Sequence, residues 1–181
     1  MRIQPTSIPE VLLIIRDRYT DARGWFTEIH NQPTLLAAGF AVTFVQDNLS
    51  LSAPGVLRGM HFQRNPRQGK LVSCIQGRIY DVAADIRPGS PTFGQHVAVE
   101  LSADVGESLW VPAGFAHGFA AVGSEPALVL YKVDQPRSAE GEGGILWSDP
   151  TLAIPWPIEH PTLSERDATL PTLNDLQHDE R

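Results

Sequence analysis

The chain has 181 residues, 42% of them hydrophobic and 19% charged, with one cysteine and a formal net charge of −7. That length can bury a core without disulfides or metal. The lone Cys74 can form no internal disulfide, which fits a reducing compartment, and the negative charge repels nucleic acid and acidic membranes at long range. The 15 glycines and 15 prolines favour short strands and turns over long helices.

In chain order, the first apolar run, "VLLII" at 11–15, is far too short to span a bilayer and lacks signal-peptide flanks, so a cytoplasmic protein is expected. "NQPTLLAAGF", 31–40, is the one early segment with a helical pattern, and Gly39 ends it. From Leu71 onward, strand-length apolar segments alternate with turn residues: "KLVSCIQG", "RIYDVAADI", "QHVAVEL", "ESLWVPA" and "PALVLYKVD". This rhythm predicts an all-β, antiparallel sandwich or barrel. The setting of Cys74 within the first of these segments is apolar and predicts an inert thiol. Residues 134–144 read as a loop, and so does the tail from Trp156, where Pro155, Pro157 and Pro161 exclude regular elements before "LSERD". With no repeat in the chain, residues 1–181 are expected to form one domain, with a peripheral tail at about 174–181.

Two histidines stand in unusual settings, His61 in "GVLRGMHFQ" and His117 in "GESLWVPAGFAHGF". Their spacing from the preceding glycines and proline resembles the two signature motifs of the cupin superfamily of β-barrels, in which such histidines often bind metal. A metal-binding cupin continues from the first histidine to a second one, where this chain has Gln63, and then to a glutamate, where this chain offers Lys70. An ammonium in place of a carboxylate ligand repels a divalent ion, so no metal is expected. Lys70 then has two readings: a solvated residue opening a strand, or an enclosed cation that steadies negative charge on a substrate oxygen. His61 also has two: a packed residue between Met60 and Phe62, or a functional group.

A closer resemblance rests on "DARGWFTE", "FVQDNLS", "GVLRGMHFQ", "QGKLV", "GSPTFG", "PAGFAHGF", "LYKV", "WSDPTLAIPWP" and "LSERD". Their order and spacing resemble the dTDP-4-dehydrorhamnose 3,5-epimerase family over about residues 3–173. The resemblance implies a cupin-type jelly roll with extra N-terminal strands and short peripheral helices. It also implies a homodimer, no metal or organic cofactor, and inversion of C3 and C5 of a dTDP-linked 4-keto-6-deoxy sugar, a precursor step to dTDP-L-rhamnose. By the same resemblance His61 is the base, Asp167 its carboxylate partner, Lys70 the cation at the enolate oxygen and Tyr131 the proton donor on the opposite face. Arg23, Phe26, Glu28, Gln46, Asn48, Arg58, His117, Glu142 and Arg166 match substrate-binding positions, some of them reaching the neighbouring subunit's site. The chain departs from the family after "LYKV": Pro136 and Arg137 stand where aromatics are usual, which leaves the nucleobase preference open. Arg137 could stack on a base or face water. Relatives that invert only C3 or only C5 keep the same four catalytic residues. A metal-dependent cupin enzyme and a non-catalytic sugar-nucleotide binding module are the readings from other classes.

Overall fold

The structure is a computed structural model that describes the backbone of residues 1–179 and the side chains of residues 1–176. Of the tail expected to be peripheral, 174–181, the last two residues lie outside the described residues. The elements in chain order are β1 (Arg2–Pro5), β2 (Leu12–Ile15), β3 (Arg18–Asp21), β4 (Gly24–Thr27), α1 (Gln32–Ala37), β5 (Gln46–Ser52), β6 (Leu57–Gln63), β7 (Lys70–Gln76) and β8 (Arg78–Asp85). They continue with β9 (His96–Ser102), β10 (Glu107–Val111), β11 (Phe115–Val122), β12 (Ala127–Val133), β13 (Glu142–Gly144), α2 (Glu165–Ala168) and α3 (Leu173–Asp179). Six strands form one sheet in the order β1-β2-β10-β7-β12-β5, five form a second in the order β13-β6-β11-β8-β9, and β3 and β4 make a separate hairpin. This is the expected all-β cupin-type jelly roll, with antiparallel pairing between neighbouring strands.

The expected strands from Lys70 to Val133 form close to their anticipated limits, and the early helix forms with Asn31 capping it: the Asn31 side chain accepts from the Thr34 N–H. Two loop expectations fail in part: the stretch from Trp156 carries α2, where the Ser164 side chain caps the helix by accepting from the Asp167 N–H, and α3. The stretch 134–144 is not wholly loop, because Glu142–Gly144 pairs with β6 as an edge strand. Two glycines and a glutamate carry no strand pattern, and this pairing is set by the long-range register alone.

Side-chain alternation along strands explains the layering. Between the two sheets lie Val72 and Cys74 of β7, Ile79 and Ala83 of β8, Phe115 and Phe119 of β11, and Ala127 and Val129 of β12. On the outer face of the five-stranded sheet, Met60 and Phe62 of β6 join Val82, Ala84, Ile145 and Leu152 in a second cluster. Met60 and Phe62 therefore belong to the opposite face from His61, and the apolar flanks that suggested a packed histidine point away from it. Cys74 is buried at the centre, and desolvation pushes its thiol up to about 11, so it is inert as expected. No helix among the described residues is long and apolar enough to cross a membrane.

Candidate active site

The same alternation that fills one end of the barrel with Val, Phe and Ala places polar groups at the other. On β12 the inward positions run Ala127, Val129, Tyr131, Val133; on β7 they run Lys70, Val72, Cys74. The inward residues of β5 are Asn48 and Ser50, and those of β6 are His61 and Gln63. A cavity of about 260 Å³ opens there, and all of these polar residues line it together with Arg58, His117, Arg137, Glu142 and Arg166. His61 comes from the five-stranded sheet, whereas Lys70 and Tyr131 come from the six-stranded sheet facing it.

His61 is held from behind. Its Nε2–H donates to Asp167 Oδ1 at 2.7 Å, leaving Nδ1 as the nitrogen with the lone pair. Asp167 is nearly sealed, and its position is set by α2, where the Ser164 hydroxyl accepts from the Asp167 N–H at 3.1 Å. The second Asp167 oxygen accepts from the Gly59 N–H at 3.3 Å. Gly59 also lets β6 approach β11 closely: a Cβ there would sit 2.6 Å from the Gly118 Cα, and one at Gly118 would sit 2.7 Å from the Met60 sulfur. At this narrow point His61 and His117 are register partners.

Lys70 begins β7 and is largely enclosed. Burial lowers its ammonium to about 8, against the opposing pull of Asp134 and Glu142. The Tyr131 hydroxyl shares a 3.0 Å hydrogen bond with Ser50 Oγ, and burial raises its phenol above the usual tyrosine value, so it stays a proton donor throughout the neutral range. His117 presents its ring edge-on to Tyr131 at 6.0 Å, and its Nε2–H donates to Asp81 Oδ1 at 2.8 Å. Asp81 was not singled out from the sequence. It is fully buried, and its other oxygen has no hydrogen-bond partner among the described residues.

The expected binding residues divide into two groups. Asn48, Arg58, His117, Glu142 and Arg166 line the cavity, and Gln46 stands beside them, donating to Asn48 Oδ1 at 2.7 Å. Arg58 is aimed by its Nε–H donating to Ser52 Oγ at 2.9 Å. Arg23, Phe26 and Glu28 are not part of the cavity. Arg23 pairs with Asp21 at the tip of the β3–β4 hairpin, Phe26 is exposed on the same hairpin, and Glu28 accepts from the Asn31 amide. The Arg137 side chain is 62% exposed, and its Nε–H donates to Glu142 Oε1 at 2.5 Å. Gln63, at the position where a metal-binding cupin has histidine, spends its amide on structure. It donates to the Pro66 and Pro136 carbonyls and accepts from the Ser138 N–H, stapling the segment before β13 to the barrel rim. Among the described residues no three His, Cys, Asp or Glu side chains converge to hold a metal.

Comparison with known proteins gives a consistent picture. The family model described as dTDP-4-dehydrorhamnose 3,5-epimerase matches residues 5–175. The enzyme of that name from Salmonella typhimurium is 50% identical over 177 residues, covering 96% of each chain. A crystal structure of the RmlC 3,5-epimerase from Legionella pneumophila, in complex with dTDP-4-keto-L-rhamnose, superposes with a TM-score of 0.93 at 44% identity, covering 98% of this chain and 95% of that one. The Bacillus anthracis enzyme with TDP and PPi bound gives 0.90 at 46%, covering 94% and 98%. With identity of this order running through nearly the whole length, and the same barrel beneath it, the chain belongs to the dTDP-4-dehydrorhamnose 3,5-epimerase family.

Proposed function

We propose that the protein is a sugar-nucleotide epimerase that inverts C3 and C5 of dTDP-4-dehydro-6-deoxy-D-glucose, without metal or organic cofactor. The observation that carries this reading is that an imidazole backed by a carboxylate and a phenol enter one cavity from facing sheets, with an ammonium in the same cavity. Both inverted carbons neighbour the C4 ketone, so their protons are acidic enough to leave if a base is near and the resulting enolate oxygen is stabilised. His61 Nδ1 takes the proton, and the C–H electrons move onto the C4 oxygen. Asp167 fixes the ring and stabilises the imidazolium that forms. Lys70 offsets the charge growing on that oxygen. Tyr131 then delivers its hydroxyl proton to the opposite face of the carbon, and exchange with solvent restores both groups.

The same proposal includes a homodimer. The aromatics Tyr19, Trp25 and Phe26 are exposed on the β3–β4 hairpin, and β5 turns Asn48 and Ser50 to the cavity and Leu49 and Leu51 outward. Such exposed apolar surface favours a partner, and a hairpin that crosses to a second copy would carry Arg23, Phe26 and Glu28 to the neighbouring cavity. Sedimentation at micromolar concentration is expected to give a dimer; a monomer with full turnover would remove this part.

The test of the main reading is incubation with the 4-keto sugar nucleotide in heavy water, followed by NMR. Deuterium is expected at both C3 and C5. Label at one carbon alone would assign a mono-epimerase, and label at neither, with folded protein, would leave the binding module as the better reading. Loss of activity on chelation would instead favour a metal-dependent enzyme.

A further inference from the structure

The cavity is lined by four cationic side chains, Arg58, Lys70, Arg137 and Arg166, against one carboxylate, Glu142, although the chain as a whole carries −7. Two of the four cations converge on that carboxylate. Arg137 approaches Glu142 Oε1 through Nε at 2.5 Å and Oε2 through Nη2 at 3.3 Å, while Arg166 Nη1 reaches Oε2 at 3.1 Å. The three differ in exposure. Glu142 sits on β13, paired with Gln63, and its side chain is only 23% exposed; the arginine side chains are 62% and 51% exposed. The backbone around Arg137 is itself tethered, because its N–H donates to Gln46 Oε1 at 3.1 Å. A less exposed anion thus holds two longer, more exposed guanidinium groups side by side at the cavity, where alone they would repel one another.

We propose that Arg137 and Arg166 form a clamp for the diphosphate of the nucleotide sugar, and that Glu142 occupies this clamp until the diphosphate displaces it. The inference rests on the nucleotide-sugar reading above and adds to it an anion-binding role for Arg137. Planar guanidinium groups match phosphate oxygens through paired N–H donors as well as they match a carboxylate. A diphosphate offers more charge and more acceptor oxygens than one glutamate, so it wins the exchange. The hydrogen bonds from Arg137 also hold the Glu142 carboxyl below its ordinary range, so Glu142 remains an anion in the clamp at neutral pH.

The test is calorimetric titration with inorganic pyrophosphate at neutral pH, a probe that carries neither base nor sugar. Arg137→Ala is expected to weaken pyrophosphate at least tenfold and to flatten the loss of affinity with added salt. Arg137→Lys keeps the charge without the planar fork and is expected to fall between the two. Glu142→Gln removes the resident anion and is expected to bind pyrophosphate at least threefold tighter. Wild-type affinity in Arg137→Ala, or weaker binding in Glu142→Gln, would overturn the clamp. The outcome is separable from the epimerase reading: isotope exchange in the wild-type protein decides whether the sugar is turned over, and pyrophosphate affinity decides whether Arg137 grips the anion.

Discussion

Two histidine–carboxylate pairs face each other across β6 and β11. His61 meets Asp167 at 2.7 Å and His117 meets Asp81 at 2.8 Å, both through Nε2 and Oδ1, and the two histidines are direct register partners. They differ in access. The His61 side chain is 38% exposed, whereas that of His117 is 5% exposed and its Asp81 fully buried. The same pair of groups therefore serves two purposes, and burial decides which. A base has to meet its proton, so the open pair suits chemistry. The closed pair crosses the barrel core, between Phe115 and Phe119 on one strand and between Ile79 and Ala83 on another, and it backs Tyr131 from the side. A buried polar pair of this kind is costly to break and holds the wall against which the phenol is oriented.

The contrast breaks most sharply at His61 itself. His61→Ala is expected to lower isotope exchange at least 1,000-fold, within the range of general-base catalysis, while the thermal midpoint stays close to wild type. A midpoint that fell together with the rate would erase the distinction between the pairs. The carboxylates should divide the same way. Asp167→Ala is expected to cost a few hundredfold in rate and about 1 kcal/mol in stability, because water can replace part of what His61 loses. Asp81→Ala strands a buried imidazole and is expected to cost about 3 kcal/mol in denaturant unfolding.

Lys70 sharpens the comparison from the opposite wall. Its lowered value means that folding buries an ammonium at a penalty. Below about pH 8 the group is protonated in both states and the full penalty applies. Between about 8 and the free value of 10.5 the folded state has released a proton that the unfolded chain still holds, so stability from this group rises with pH across that window. Lys70→Met is accordingly expected to stabilise the protein by on the order of 2 kcal/mol at pH 7, and to slow exchange at least a hundredfold. The smallest expected effect is on wild-type rate, which should fall several-fold as the pH rises through about 8 and Lys70 loses its charge. A flat profile there would remove the ammonium from the reaction.

Much of this was legible in the sequence, for reasons that can be located. The strands β7, β8, β9, β10 and β12 are strand-length apolar segments between clear turns, and they fold as read. Strand β11, "FAHGFAAV", was visible only as part of a motif, since its residues are buried on both faces and alternation disappears. His61 was ambiguous because Met60 and Phe62 look like packing partners until the register puts them on the other face. Asp81 left a signal that could have been used: it shares parity with Ile79 and Ala83, so a carboxylate was pointing into the core and needed a partner. The link from Arg137 to Glu142 had no such trace. It depends on Gln63 stapling the intervening segment and on β13 pairing with β6, neither of which local pattern specifies.

The central claim is that removal and return of the proton happen on opposite faces by different groups. The most direct measurement is Tyr131→Phe in heavy water, following deuterium uptake and configuration at C3 and C5 together. Uptake should persist with inversion suppressed at least a hundredfold, since His61 can still remove and return the proton from its own side. Inversion at the wild-type rate in that variant would contradict the account.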